Sequence, residues 1–212
     1  MNAPILRRLG EVSFESCFVR MREFTRNRLI DTPDEIWLLT HPSVYSLGLN
    51  GNPAHVLGTP SAPLIRTDRG GQVTWHGPGQ LVVYTLIDLQ RMGIGIREYV
   101  TLIETAIIVF LSQYGVSAVS RREAPGVYVE GAKIASVGLK VTRGRCYHGF
   151  SFNVNPDLAA FDCINPCGYE GLKVTSLERL GVTTTPDEVM PGIIAAYLAH
   201  PAFQNSIHHD RT

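Results

Sequence analysis

Residues 66–84 read RTDRGGQVTWHGPGQLVVY, and the two halves of this stretch follow different patterns. Gln72 to His76 alternates in character and is rich in β-branched and aromatic residues, which predicts a strand. Gly77-Pro78-Gly79 stops it sharply. Gln80 to Ile87 then runs almost continuously apolar, the pattern of a strand covered on both faces. The corner joining them carries Arg69, Gln72, His76 and Gln80 among glycines. A glycine has no Cβ, so a ligand can lie directly against its backbone N–H. The stretch therefore reads as a binding rim, with an ordinary hairpin bearing a surface histidine as the alternative on spacing alone.

Upstream, Phe14, Cys17, Phe18, Met21 and Leu29 recur at helical steps and predict an amphipathic helix over 13–29, with Cys17 as core filler. Ile36 to Thr40 predicts a short strand closed by His41-Pro42, since a residue before proline avoids helical angles; His41 reads as structural. Residues 44–63 form a long loop with brief strand pieces that borders the rim. Downstream, Val100, Ile103, Ile107, Phe110, Leu111 and Tyr114 share one face of a helix over 97–114, which Gly115 ends. Strands are expected at 126–130, 133–142 and 146–154, with tight turns at Glu130-Gly131 and Arg143-Gly144. Thr185-Pro186-Asp187-Glu188 is a capping box with proline at the first helical position. Val189, Ile193, Ile194, Tyr197 and Leu198 give that helix its buried face, and the tail from Ala202 reads as frayed. Hairpins dominate and strands do not alternate regularly with helices. The expectation is one α+β domain over 1–212, a mixed, mostly antiparallel sheet covered by helices.

The chain has 212 residues, 44% hydrophobic and 18% charged, ordinary for a packed domain. Nineteen basic residues balance nineteen acidic ones, so no charge footprint for nucleic acid or an anionic membrane is present. No apolar run approaches the roughly 18 residues of a membrane span, and the N-terminus lacks a signal-peptide core. A cytoplasmic monomer is expected. Four cysteines make no disulfide framework at this length, so reduced thiols are expected.

Among them Cys167 stands out, held between Pro166 and Gly168 on a rigid turn where a thiol is exposed. Cys163 is a rival, although Asp162 beside it disfavours a thiolate. A two-residue loop at Arg143-Gly144 would carry Lys133 opposite Val154. The loop leaving Val154 then brings Cys167 within reach at about 3.3 Å per residue. The sequence permits a Cys167–Lys133 contact; a surface lysine near a turn is the alternative. Cys146, His148, Cys163 and Cys167 have zinc-ligand chemistry but not the paired short knuckles of a structural zinc site.

RGGQVTWHGPGQLVVY resembles the glycine-rich signature of the lipoyl (octanoyl) transferases. GAKIASVGLKV (131–141), HGFSFNVNPDL (148–158) and FDCINPCGYEGLKVTSL (161–177) resemble the same family, in the same order. Trp75 stands where tyrosine or phenylalanine is more usual, and Ser151 and Phe152 replace smaller residues; these departures touch pocket shape only. The resemblance implies the fold shared with biotin and lipoate protein ligases. It implies a catalytic pair of Cys167, which becomes an acyl thioester, and Lys133, its partner. It implies substrate-binding walls at Arg69, Gly70, Gly71, Gln72, Val73, Thr74, Trp75 and His76, at Ser136, Val137 and Gly138, and at Gly149, Phe150 and Ser151. Glycine backbones there would supply oxyanion donors, and His148 could add to them. The implied reaction moves octanoyl from octanoyl-acyl carrier protein to a lysine of apo lipoyl domains, those of 2-oxoacid dehydrogenase complexes and the glycine cleavage H protein, with no cofactor and no metal. Alternatives are an ATP-dependent lipoate-protein ligase of the same fold, or a non-catalytic acyl or lipoyl-domain binding module.

Overall fold

The computed structural model describes residues 3–204. In chain order its main elements are β1 (Ile5–Glu11), α1 (Phe14–Asn27), β2 (Glu35–Thr40), β3 (Val44–Leu47), β4 (Leu64–Arg66), β5 (Val73–His76) and β6 (Gln80–Leu86). They continue with α2 (Leu89–Met92), α3 (Ile96–Ser112), β7 (Val119–Ser120), β8 (Gly126–Val129), β9 (Ala132–Thr142) and β10 (Arg145–Asn153). The chain closes with α4 (Pro186–Leu198) and α5 (Pro201–Gln204). Seven strands pair in the order β1-β2-β6-β10-β9-β8-β7, antiparallel throughout except for β1 beside β2. A second, three-stranded sheet has the order β4-β3-β5. This is the mixed, mostly antiparallel α+β architecture expected.

Period-two alternation decides which layer each side chain joins. Ile36, Leu38, Leu81 and Val83 face α3 and α4, in one core with Ile103, Ile107, Phe110, Ile193 and Tyr197. Trp37, Leu39, Val82, Tyr84 and Leu86 face the opposite way, onto Cys17 and Met21 of α1. The near-continuous apolar run of β6 is thus explained: it is covered on both sides. The α4 cap forms as expected, Thr185 Oγ1 accepting from Glu188 N while Glu188 accepts from Thr185 N.

Three expectations need correction. Helix α1 ends at Asn27, and Leu29 beyond it is 68% exposed, because Arg28 leaves the helix to bond Leu86 O and Asp34. The hairpin given as the alternative to a binding rim is likewise not formed by β5 and β6: β5 pairs with β3, and Gly77-Pro78-Gly79 carries the chain from the small sheet into the large one. Gly79 lies so near Asn155 that a Cβ there would sit 2.6 Å from its backbone. Finally, β9 and β10 hold the expected register from Arg145↔Thr142 to Phe152↔Ala135, yet Lys133 does not face Val154. Residues 173–178 enter between the two strand ends. They bond Lys133 through Lys173 O and Thr175 N, and bond Asn153 O and Val154 O through Leu177 N and Glu178 N. The tail expected to fray from Ala202 is helical as far as it is described, Ala202 lying in the short helix α5; residues beyond Gln204 fall outside the described residues.

Candidate active site

Lys133 enters β9 straight after the turn at Glu130 (φ 49°) and Gly131 (φ 84°), the left-handed pair that a two-residue hairpin loop requires. Its backbone is held by Tyr128 on one side and by Lys173 and Thr175 on the other. The side chain is only 2% exposed, which removes the surface-lysine alternative. Its stem passes over Gly126, whose φ of 142° and bare Cα both matter: a Cβ there would lie 2.5 Å from Lys133 Cε and 2.3 Å from Ala135 O. Gly126 N donates to the buried Glu104 carboxylate of α3 at 2.7 Å, which fixes that crossing. The ammonium then sits 5.3 Å from the Tyr128 ring centroid and donates to Cys167 Sγ at 2.8 Å.

Cys167 occupies the single turn Pro166–Gly168 with φ 58°, and Gly168 follows at 79°. Asn165 N, donating to His55 O, and Gly168 N, donating to Asn165 O, hold the turn. The thiol is half-buried rather than fully exposed. The other cysteines lie elsewhere. Cys17 and Cys146 are core residues, and burial pushes the Cys17 thiol up to about 11. Cys163 donates to Tyr45 Oη at 3.1 Å in a wider cleft of about 1020 Å³ beyond Trp75. Among the described residues no three His, Cys, Asp or Glu side chains converge as metal ligands.

Cys167 opens onto a slot of about 50 Å³ on the α1 side of the large sheet. Gly70, Gly71, Gln72, Val73, Thr74 and His76 form one wall; Ser136, Val137, Gly138, Gly149, Phe150 and Ser151 form the floor. Gly138 and Gly149 are directly paired, and a Cβ on Gly149 would meet Val83 O at 2.0 Å. Two expected rim residues behave differently. Trp75 is turned away by strand alternation and packs edge-on against Phe161, 5.5 Å between centroids. Arg69 lines the slot with its guanidinium already bound by Ser46 O at 2.6 Å, Gln72 O at 2.9 Å and Gly70 O at 3.0 Å. It braces the wall.

His76 has both nitrogens engaged: Nδ1–H donates to Gln80 Oε1 at 2.7 Å, and Nε2 accepts from Ser46 Oγ at 3.3 Å. Gln80 Nε2 donates to Asn153 Oδ1, so Gln80 Oε1 must accept and the His76 tautomer follows. Burial, with the nearby His41 and Arg69, pushes its pKa down to about 3. No bond joins it to Cys167. Phe14, Val82, Tyr84 and His148 also line the slot. The alternation of β6 could have located Val82 and Tyr84, and the first turn of α1 carries no such signal for Phe14.

The chain matches the model of the lipoyl protein ligase A/B catalytic domain over residues 16–198. It is 58% identical over 180 residues to an octanoyltransferase of Methylococcus capsulatus, covering 85% of this chain and 87% of that protein. It is 50% identical over 207 residues to an octanoyltransferase of Halorhodospira halophila, covering 97% and 95%. Among solved structures it resembles a lipoate-protein ligase A bound with ATP, TM-score 0.77 at 14% identity over 98% of this chain and 86% of that one. It also resembles the Aquifex aeolicus biotin protein ligase in complex with biotin and ATP, TM-score 0.59 at 12% identity over 95% and 71%. At such identities these two show a shared fold.

Proposed function

This chain belongs to the octanoyltransferases of the lipoyl protein ligase A/B family, and from that premise we propose that it transfers octanoyl from octanoyl-acyl carrier protein, through a thioester on Cys167, to a lysine of apo lipoyl domains. The observation that carries the reading is the 2.8 Å contact of Lys133 Nζ with Cys167 Sγ at the mouth of a glycine-floored slot. The pair works as thiolate and ammonium. The acyl chain lies in the slot, and the thiolate attacks the donor carbonyl, forming a C–S bond to Cys167 while the donor C–S bond breaks. The departing thiolate takes a proton from the Lys133 ammonium and leaves as the free carrier thiol. Lys133, now neutral, accepts a proton from the acceptor amine as that amine forms the amide and expels the Cys167 thiolate. Thiolate and ammonium are then restored, and no metal or nucleotide enters the cycle. The acceptors proposed are the lipoyl domains of 2-oxoacid dehydrogenase complexes and the glycine cleavage H protein.

A second reading, an ATP-dependent ligase, is favoured only by the fold likeness to an ATP-bound lipoate ligase. Such chemistry activates the acid as an adenylate and has no use for a thiol paired with a buried lysine. Intact-mass measurement after mixing with octanoyl-acyl carrier protein, without acceptor or ATP, separates the two. One hydroxylamine-labile octanoyl group should appear on Cys167 and be absent in Cys167→Ala. An adduct on Cys163, or activity only with free octanoate and ATP, would sink the thioester cycle.

A further inference from the structure

The buried ammonium of Lys133 has a second neighbour besides the thiol. Strands β8 and β9 pair Val129 with Ala132 and Tyr128 with Lys133, and the next pair is Val127 with Ala135, so the ladder slips at Ile134. Directly paired residues send their side chains to the same face of a sheet. Tyr128 and Lys133 therefore stand side by side. The tyrosine is held independently of the lysine. Its ring is fully buried, its Oη donates to Ala124 O at 2.7 Å, and the Arg121 guanidinium lies over the ring at 4.4 Å from the centroid.

Lys133 Nζ lies 5.3 Å from that same centroid while it donates to Cys167 Sγ at 2.8 Å. The face of an aromatic ring is negative, and it attracts a cation within about 6 Å of the centroid, more strongly where water is excluded. At 2% exposure Lys133 is cut off from water. An ammonium has three donors, and among the described residues this one forms no hydrogen bond other than that to Cys167, and no ion pair. The other charged or titratable groups around the pair are Glu104, bound to Gly126 N at 2.7 Å, Tyr169, which shares a cleft with Tyr128, and Arg69, whose charge acts on Cys167. Once the thiolate becomes a thioester, the negative charge that Nζ donates to is gone. The Tyr128 ring still lies beside the lysine, and it favours the ammonium that forms as Lys133 takes the acceptor's proton.

We propose that Tyr128 is a positioning residue of the reaction: its ring is the second partner of the Lys133 ammonium and keeps that charge beside Cys167 before and after the thiolate is consumed. The inference rests on the octanoyl-transfer reading and names what steadies the charge on its lysine.

The pH profile of Cys167 alkylation by iodoacetamide, read by peptide mass on the full chain, tests this without an acyl donor. Tyr128→Phe keeps the aromatic face; a trifluorinated phenylalanine at the same position keeps the shape and drains the face of negative charge. Both lack the Oη bond, so its loss cancels between them. The fluorinated protein should need a pH about half a unit higher than Tyr128→Phe to reach half its maximal labelling rate, and below that midpoint its single-turnover octanoylation should be slower by about threefold. In a Lys133→Met background the fluorine effect should vanish, because the ring then has no ammonium to stabilise. Coincident profiles for the two ring variants would overturn the proposal, as would a fluorine shift that persists with Lys133→Met. Absence of any octanoyl adduct on the wild-type protein would instead overturn the transfer reading itself.

Discussion

In the proposed cycle Lys133 does two jobs that need opposite protonation states, and arginine separates them. A guanidinium keeps the charge but does not give up its proton in the working range. Lys133→Arg should therefore retain part of the acylation step and transfer poorly to the lipoyl domain, while Lys133→Met should lose both steps. Rapid-quench measurement of the two half-reactions decides; wild-type transfer by Lys133→Arg would reduce Lys133 to an electrostatic neighbour. How far single residues were legible in the sequence depended on what fixes them. Cys167 and Lys133 were named by the family resemblance; the turn at Arg143-Gly144 sets a β9–β10 register that only permitted their contact, and the structure keeps that register as far as Phe152↔Ala135. Trp75 was misplaced because alternation says that neighbours face opposite ways, not which way faces the slot. Arg69 lines the slot as expected, but its bracing role was hidden because a sequence does not reveal that the carbonyls of Ser46, Gly70 and Gln72 converge on one guanidinium. His148 was left open because a left-handed residue inside a strand leaves no periodic mark.

At the scale of elements, the crossing of β8 and β9 positions the lysine. Gly126 makes room for the Lys133 stem, and Glu104 on α3 ties the crossing to the helix layer. Gly126→Ala would add a Cβ 2.3 Å from Ala135 O on a backbone angle that L-residues rarely adopt. The expected cost is about 1–3 kcal/mol of stability, together with loss of acyl-enzyme formation as Lys133 is pushed off Cys167. A urea midpoint and an intact-mass assay on the same preparation test both halves. An unchanged adduct yield in a folded Gly126→Ala would show that the stem has another route. The elements themselves were largely readable, since β6 carried a run of apolar residues and α4 a complete capping box. Less readable was the partner of each strand: Gly77-Pro78-Gly79 looks like a hairpin tip in sequence and serves as a passage between sheets. The entry of residues 173–178 between β9 and β10 was equally hidden, because its hydrogen bonds are to backbone and demand no particular side chains.

For the molecule as a whole, the polar groups buried around the slot set its tolerance of acid. Burial, only partly countered by a bond to Val12 O, pushes His41 down to about 4, and His76 is held near about 3. In the unfolded chain both titrate near about 6.5. Between those values the unfolded state binds protons that the folded state refuses, so stability falls as pH drops through this window and is retained above it. The urea midpoint should decline from pH 7 to pH 4.5, and His41→Gln should flatten part of that decline; a flat wild-type profile would contradict the burial assignments. The wedge formed by residues 173–178 has a further consequence, in the order of synthesis. Lys133 leaves the ribosome first and Cys167 later, but the carbonyl and amide that hold the lysine backbone belong to Lys173 and Thr175, which emerge after both. A growing chain therefore carries Cys167, the proposed nucleophile, without a fixed partner until the clasp closes behind it. On the proposed function, the two halves of the chemistry are armed together only once residues 173–178 have been made.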